Sequence, residues 1–200
     1  MIKIKKILNL HKQKKKKTNK KKDNSIIILH LFLKLLSMNN VLNIKILSGI
    51  PASGKSTWAK DYVYNNRNTV RINRDDLRKS IFNDFITDGN ENFINNAKLS
   101  LIKTSLEFDK NIILDDTHCY KDYLIFLIDY IRNNAKQLNK NIKIIIVDFD
   151  VNVNVCVKRN FKRKGKLDKN IIYHMYKTKN EINYNSLDID EYIKMSDSGL

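Results

Sequence analysis

The sequence predicts an α/β fold, a parallel sheet flanked by helices, and three observations predict it. From Asn43 onward short apolar runs alternate with segments of helical periodicity, which is the pattern of βα units. One of those runs, Ile142 to Phe149, is apolar almost without a break, as a strand covered on both faces requires. Between the first apolar run and the first helical segment stands a loop that begins with Gly49 and ends with Gly54-Lys55-Ser56.

Taken in order, the first strand is expected at Ile44 to Leu47, a helix over Lys55 to Asn66, a short strand at Thr69 to Ile72 and a third at Asn111 to Leu114. Ile94, Ala97, Leu101 and Phe108 fall at helical spacing, as do Leu124, Leu127, Ile128, Ile131 and Ala135, and both sets read as core stripes. Further helices are expected from Val151 to about Arg159 and from Lys169 to about Ile182, separated by a basic connector. There is no internal repeat.

With 200 residues and 42% hydrophobic content the chain can bury one ordinary core. The organisation expected is a basic, disordered extension over residues 1–37, one domain over 41–185 and a C-terminal tail over 186–200. The formal charge of +17 is uneven, because residues 1–37 hold 12 lysines against the single acid Asp23. The rest of the chain therefore carries only +6, and the overall basicity does not by itself establish nucleic-acid binding. Ile26 to Leu36, interrupted by His30 and Lys34, is far short of the roughly 20 apolar residues that span a bilayer, so no membrane segment is expected. Met38 is the simplest true start. Cys119 and Cys156 make neither a disulfide framework nor a zinc site.

Gly49-Ile50-Pro51-Ala52-Ser53-Gly54-Lys55-Ser56-Thr57 fits the phosphate-binding pattern G-x-x-x-x-G-K-S in its required strand-to-helix context. The glycines let the backbone curl so that N–H groups converge on phosphates, and the following helix adds its positive end. Gly49, Pro51, Ser53, Gly54 and Thr57 build the expected ATP site. Lys55 is expected at the β- and γ-phosphates and the Ser56 hydroxyl on Mg2+. The chain has only five glycines and one proline, and two of those glycines and the proline fall here. Dependence on ATP points to the cytosol.

A phosphate loop alone does not separate an ATPase from a kinase; other residues must supply an acceptor site. In Asn73-Arg74-Asp75-Asp76-Leu77-Arg78, helical spacing puts Asp75 and Arg78 on one face. A carboxylate there suits proton abstraction from a hydroxyl, and an arginine beside it suits an acceptor phosphate. The same segment also fits a charged helix N-terminus with surface ion pairs. Asp115-Asp116-Thr117-His118 ends the third strand at the edge where such sheets bind ligands, although Asp115 or Asp116 also fits as a cap of the next helix. His118 reads as a residue behind the site or merely exposed. Arg159 and Arg163, at i and i+4, suit a short basic lid over ATP or a solvated helix end.

In order along residues 42 to 180, Gly49 to Ala59, Ile72 to Arg78, Asp116-Thr117 and Val157-Lys158-Arg159-Asn160 with Arg163 resemble the kinase domain of the phage-type 5′-hydroxyl polynucleotide kinases. The resemblance implies an adenylate-kinase-like sheet and transfer of the γ-phosphate of ATP to the 5′-hydroxyl end of DNA or RNA. It makes Asp75 the general base, Arg78 the holder of the strand's phosphate, Asp116 and Thr117 acceptor-site residues, and Lys55 and Arg163, assisted by Arg159, the groups at the donor phosphates. His118 departs from the asparagine common in the family, and the connector after Arg163 lacks the usual proline. Val147-Asp148-Phe149-Asp150 imitates the opening of a phosphatase domain found in relatives, but no Gly-Thr follows, so it reads as a strand end. Two other functions fit the residues: a kinase of a small hydroxyl acceptor, and a non-catalytic ATP-binding nucleic-acid-binding protein.

Overall fold

The computed structural model describes residues 41–83, 89–163 and 167–196. Strand β1 (Val41–Ser48) runs into helix α1 (Lys55–Asn65), followed by β2 (Thr69–Ile72), α2 (Arg74–Phe82), α3 (Glu91–Glu107), β3 (Asn111–Leu114) and α4 (Lys121–Gln137). Then come β4 (Asn141–Asp150), α5 (Val153–Phe161), α6 (Lys169–Asn180), a 3-10 turn at Tyr184–Ser186 and β5 (Glu191–Ser196). The strands form one sheet in the order β2-β3-β1-β4-β5, every pair parallel. Parallel neighbours need long crossovers, and the helices supply them. The expected α/β parallel sheet is thus the fold observed. The extension expected over residues 1–37 and the middle of the basic connector, 164–166, lie outside the described residues.

Side chains on a strand alternate between faces, and here both faces are apolar. Ile44, Ile46, Ile112, Leu114, Ile144 and Ile146 pack with Leu124, Leu127, Ile128 and Ile131 of α4 and Ile102 and Leu106 of α3. Leu47, Ile113, Ile145, Val147 and Phe149 meet Ala59 of α1 in a separate cluster on the opposite face. A third cluster joins Ile50, in the loop after β1, to Cys119, to Val151 and Cys156 around the start of α5, and to Ile172 of α6. The helices that follow the sheet are thereby seated against the phosphate loop. Both cysteines are buried, and no disulfide joins them.

The α4 stripe is the one expected, but α3 differs. Its buried residues are Ile94, Lys98, Ile102, Ser105 and Leu106, while Leu101 is 38% and Phe108 70% exposed. Ile94, Lys98, Ile102 and Leu106 recur every four residues, so a lysine occupies the core register. A lysine is rarely buried this completely without a counter-charge, and Asp116 is that partner.

The stretch expected as a tail contains β5, which pairs with β4 from Ile145↔Glu191 to Asp150↔Ser196. Its half-polar sequence, Glu-Tyr-Ile-Lys-Met-Ser, is that of an edge strand exposed on much of its surface. At its root Asp148 of β4 is nearly buried, with Lys179 Nζ 2.6 Å from Oδ1 and the Tyr192 hydroxyl donating to Oδ2 at 2.8 Å. This carboxylate is spent on holding α6 and β5 to the sheet, in keeping with its reading as a strand end. Lys179→Ala leaves Asp148 buried without its counter-ion and should cost about 3–5 kcal/mol of stability. Urea unfolding measures it, and a loss below about 1 kcal/mol would show that the pair contributes nothing.

Candidate functional site

The loop after β1 closes on itself. A Cβ at Gly49 would lie 2.9 Å from Ser53 Oγ and 3.0 Å from Phe149 Cβ, so a larger residue would have to push Ser53 aside and crowd Phe149. Gly54, at φ +100°, turns the chain into α1 through a left-handed conformation that favours glycine. The Gly49 N–H donates to the Thr117 carbonyl at 2.9 Å, fastening the loop to the segment after β3. Lys55 is buried inside the loop, where Nζ donates to the Gly49 and Ile50 carbonyls at 2.8 Å each and to Ser53 Oγ at 3.2 Å. Burial pushes its ammonium below the usual lysine range, with Cys119 and Asp115 pulling the other way. Pro51 is buried with the loop, while Ser56 and Thr57 are exposed on the first turn of α1.

The end of β3 places two aspartates with different partners. Asp115 accepts from the Ser56 hydroxyl at 3.1 Å and, through its other oxygen, from Arg71 Nε at 2.7 Å. Burial pushes this carboxyl up in spite of Arg71 and Ser56. Asp116 receives Lys98 Nζ at 2.6 Å and the Arg74 N–H at 3.0 Å. Burial alone would raise its pKa, but Lys98 and Arg74 outweigh it and hold Asp116 well below the usual carboxylate range. His118, at φ +43°, is buried rather than exposed. Its Nδ1–H donates to the Leu47 carbonyl at 2.7 Å, so Nε2 is the acceptor for Lys98 Nζ at 3.2 Å. Burial, with Lys98 beside it, pushes His118 down to about 3, and the ring is neutral near pH 7.

Asn73 caps α2 by accepting from the Asp76 N–H at 2.9 Å and donates to the Asp115 carbonyl. That cap sets Asp75 and Arg78 beside the end of β3. Arg78 donates to Asp75 Oδ1 at 2.6 Å and grips both oxygens of Glu91, at the start of α3, at 2.7 Å. Among the described residues Asp75 Oδ2 accepts no hydrogen bond. Arg159 and Arg163 are exposed at and beyond the end of α5. Arg163 Nε donates to Asn160 Oδ1 at 3.0 Å, and the buried Asn160 also bonds the Leu167 carbonyl at 2.8 Å, so one side chain ties both shores of the basic connector.

Residues 44–175 match the family described as AAA domain. The chain belongs to that family. Over 135 residues this AAA domain protein is 30% identical to the L-seryl-tRNA(Sec) kinase of Methanococcus maripaludis, across 66% of this chain and 50% of the relative. It thus spans about half the length of that relative. It is 26% identical to a chain of the Pnkp1/Rnl/Hen1 RNA repair complex, with a TM-score of 0.56, covering 73% of this chain and 48% of the other. It shares its fold with a fungal RNA kinase at 14% identity, with a TM-score of 0.59, over 78% and 74% of the two chains. The AAA domain here therefore has a P-loop kinase-type phosphotransferase fold. No helix among the described residues is long and apolar enough to cross a membrane.

The structure brings Gly49, Ser56, Asp115, Asp116 and Thr117 together at one sheet edge, and Asp75 to Arg78 beside it. Lys98 and Arg71 were not singled out from the sequence of this AAA domain, although each is a charge in an apolar register, α3 and β2 respectively.

His118 yields a pH dependence of stability. The unfolded imidazole titrates near 6.5 and the folded one at about 3, so between those values the unfolded chain binds a proton that the folded chain does not. Its contribution is fully present above about pH 6.5 and is lost as pH falls. His118→Asn should flatten the dependence of unfolding free energy on pH, between about pH 6 and pH 4, by up to about 1.4 kcal/mol per pH unit. Equal slopes for parent and variant in urea melts across that window would overturn this reading.

Proposed function

We propose that this protein transfers the γ-phosphate of ATP to the 5′-hydroxyl end of a DNA or RNA strand. The observation that carries the reading is Asp75, an exposed carboxylate held through one oxygen by Arg78 with its other oxygen directed to no protein donor among the described residues. That arrangement suits a base which takes the proton of an attacking hydroxyl while Arg78 orients it. Arg78 has five N–H donors, and Asp75 and Glu91 use three, so two remain for the phosphate that follows the first nucleotide of a strand. The likeness to a chain of an RNA repair complex supports the same acceptor class.

On the donor side, Lys55 exchanges its loop carbonyls for β- and γ-phosphate oxygens, and the backbone N–H groups of the loop cradle the rest. The Ser56 hydroxyl and Asp115 carboxylate are paired hard oxygen donors of the kind that hold Mg2+, directly or through water, beside such phosphates. The cation, when bound, neutralises charge on the β- and γ-phosphates. Asp116 and Thr117 shape the acceptor side from behind, Asp116 by fixing the Arg74 backbone one residue before Asp75. Arg163, with Arg159 one turn earlier, closes over the donor as a lid. The hydroxyl oxygen attacks the γ-phosphorus, its proton passes to Asp75, and ADP leaves.

The identity to an L-seryl-tRNA(Sec) kinase favours a second reading, a hydroxyl of an amino acid carried on tRNA. Transfer of label from γ-labelled ATP to matched 5′-hydroxyl DNA and RNA oligonucleotides, to seryl-tRNA and to small hydroxyl compounds separates the readings. Label on the oligonucleotide ends is the expected result; label only on seryl-tRNA or on small compounds overturns the proposal.

Two sets of variants test the roles. Lys55→Ala should lower turnover by at least about 100-fold with the fold intact, since it removes a cation from the charge developing in transfer. Near-normal transfer by the folded variant would count against the phosphate-loop assignment. Asp75→Asn should nearly abolish transfer while ATP still binds, and Arg78→Ala should raise the KM for the strand more than that for ATP. If both variants work at the parental rate, or both simply lose ATP, the acceptor site lies elsewhere.

A further inference from the structure

Beside the Asp75–Arg78 pair, α3 and α4 form a solvent-open recess of about 470 Å³, lined by Asn92, Asn95, Asn96, Leu99, Tyr123 and Phe126. Asn92, Asn95, Asn96 and Leu99 stand at i, i+3, i+4 and i+7 on one helix face. The volume falls within the roughly 300–1,000 Å³ of small-ligand sites. No acid or base lines it. Its chemistry is three carboxamides along one wall and two aromatic rings along the other, with Tyr123 and Phe126 centroids 6.2 Å apart.

Tyr123 is held rigidly. Its ring stacks on His118 at 6.2 Å with planes 9° apart, and its hydroxyl accepts from Lys98 Nζ at 3.3 Å. Phe126, by contrast, is half exposed, its ring 6.4 Å from that of Tyr130 on the same helix. Asn95 Oδ1 accepts from Arg74 Nη1 at 3.3 Å, which orients that amide and leaves Nδ2 to donate. Among the described residues the carboxamides of Asn92 and Asn96 bond to no protein group.

Two links join the recess to the acceptor segment. Arg74, bonded to Asn95, directly precedes Asp75, and Glu91, which grips Arg78, directly precedes Asn92. A strand whose 5′-hydroxyl meets Asp75 and whose first phosphate meets Arg78 brings its first nucleotides to the start of α3, next to this wall. We propose that the recess binds a nucleobase of the acceptor strand, at the first or second nucleotide, stacked on Tyr123 and Phe126 with its polar edge on the asparagines. A planar ring with a donor-and-acceptor rim matches both walls, and carboxamides, which donate and accept, fit it without charge. This rests on the proposed acceptor being a strand.

The test uses the full chain and 5′-hydroxyl DNA and RNA oligonucleotides that are intact or abasic at the first or the second nucleotide. For the parent protein, loss of the base at one of these positions should raise KM on the order of tenfold with kcat nearly unchanged, as expected for a lost stacking contact. Phe126→Ala and Asn96→Ala, both exposed positions, should each raise KM severalfold for the intact strand and leave it unchanged for the strand abasic at that position. Equal KM for intact and abasic strands, or variants that weaken both alike, overturns the base site while the 5′-kinase reading stands. Absence of transfer to any strand overturns both.

Discussion

Lys98 reaches the interior as a cation, and its ammonium is met there by the Asp116 carboxylate at 2.6 Å, by His118 Nε2 at 3.2 Å and by the Tyr123 hydroxyl at 3.3 Å. Taking two charges out of water is expensive, and such a pair repays the cost only when further hydrogen bonds satisfy the groups around it. Here the three ammonium hydrogen bonds go to groups that are in turn tied to different elements. Asp116 binds the backbone at the start of α2, His118 binds the end of strand β1 through the Leu47 carbonyl, and Tyr123 stands on α4. One buried ion pair therefore sets the distance between the acceptor helix, the phosphate loop and the wall of the recess. Asp116, held low, stays ionised and His118 stays neutral near pH 7.

The phosphate loop obeys the opposite logic. Lys55 is also buried, but its partners are two carbonyls and a hydroxyl, with the Asp115 carboxylate only a longer-range attraction. A cation solvated by dipoles alone is easily surrendered to phosphate oxygens, whereas one neutralised at contact distance, like Lys98, is not. The two buried lysines thus divide into a binding group and a brace, and the partner decides which is which. Asn160 plays a comparable part at the far end, where one buried carboxamide spans Arg163 and Leu167 and so fixes where the basic connector leaves and rejoins the fold.

The course of the chain was legible wherever a local period matched burial. The unbroken run at Ile142 to Phe149, the α4 stripe and the glycine loop each carry their structure in a few neighbouring residues, because alternation, a 3.6-residue repeat and the need for open backbone space are short-range requirements. The pairing of Asp75 with Arg78 was legible for the same reason, being a matter of one helical turn. The pairing of Glu191–Ser196 with β4 was not. β5 has no apolar signature of its own and exists because β4 offers an edge and Asp148 offers Lys179 and Tyr192 an anchor.

Sequence by itself determined the α/β class, the phosphate loop and the presence of a carboxylate and an arginine poised on one helix face, since each depends on residues close in the chain. Only the tertiary structure decided that Lys98 and Asp116, 18 residues apart, share one buried site, that His118 is sealed behind it and that the α3 asparagines face an aromatic wall. The physical reason is that a charge in an apolar register reads locally as a break in the stripe. Its meaning depends on whether the fold brings a counter-charge to it, and that is settled by which strand ends beside which helix.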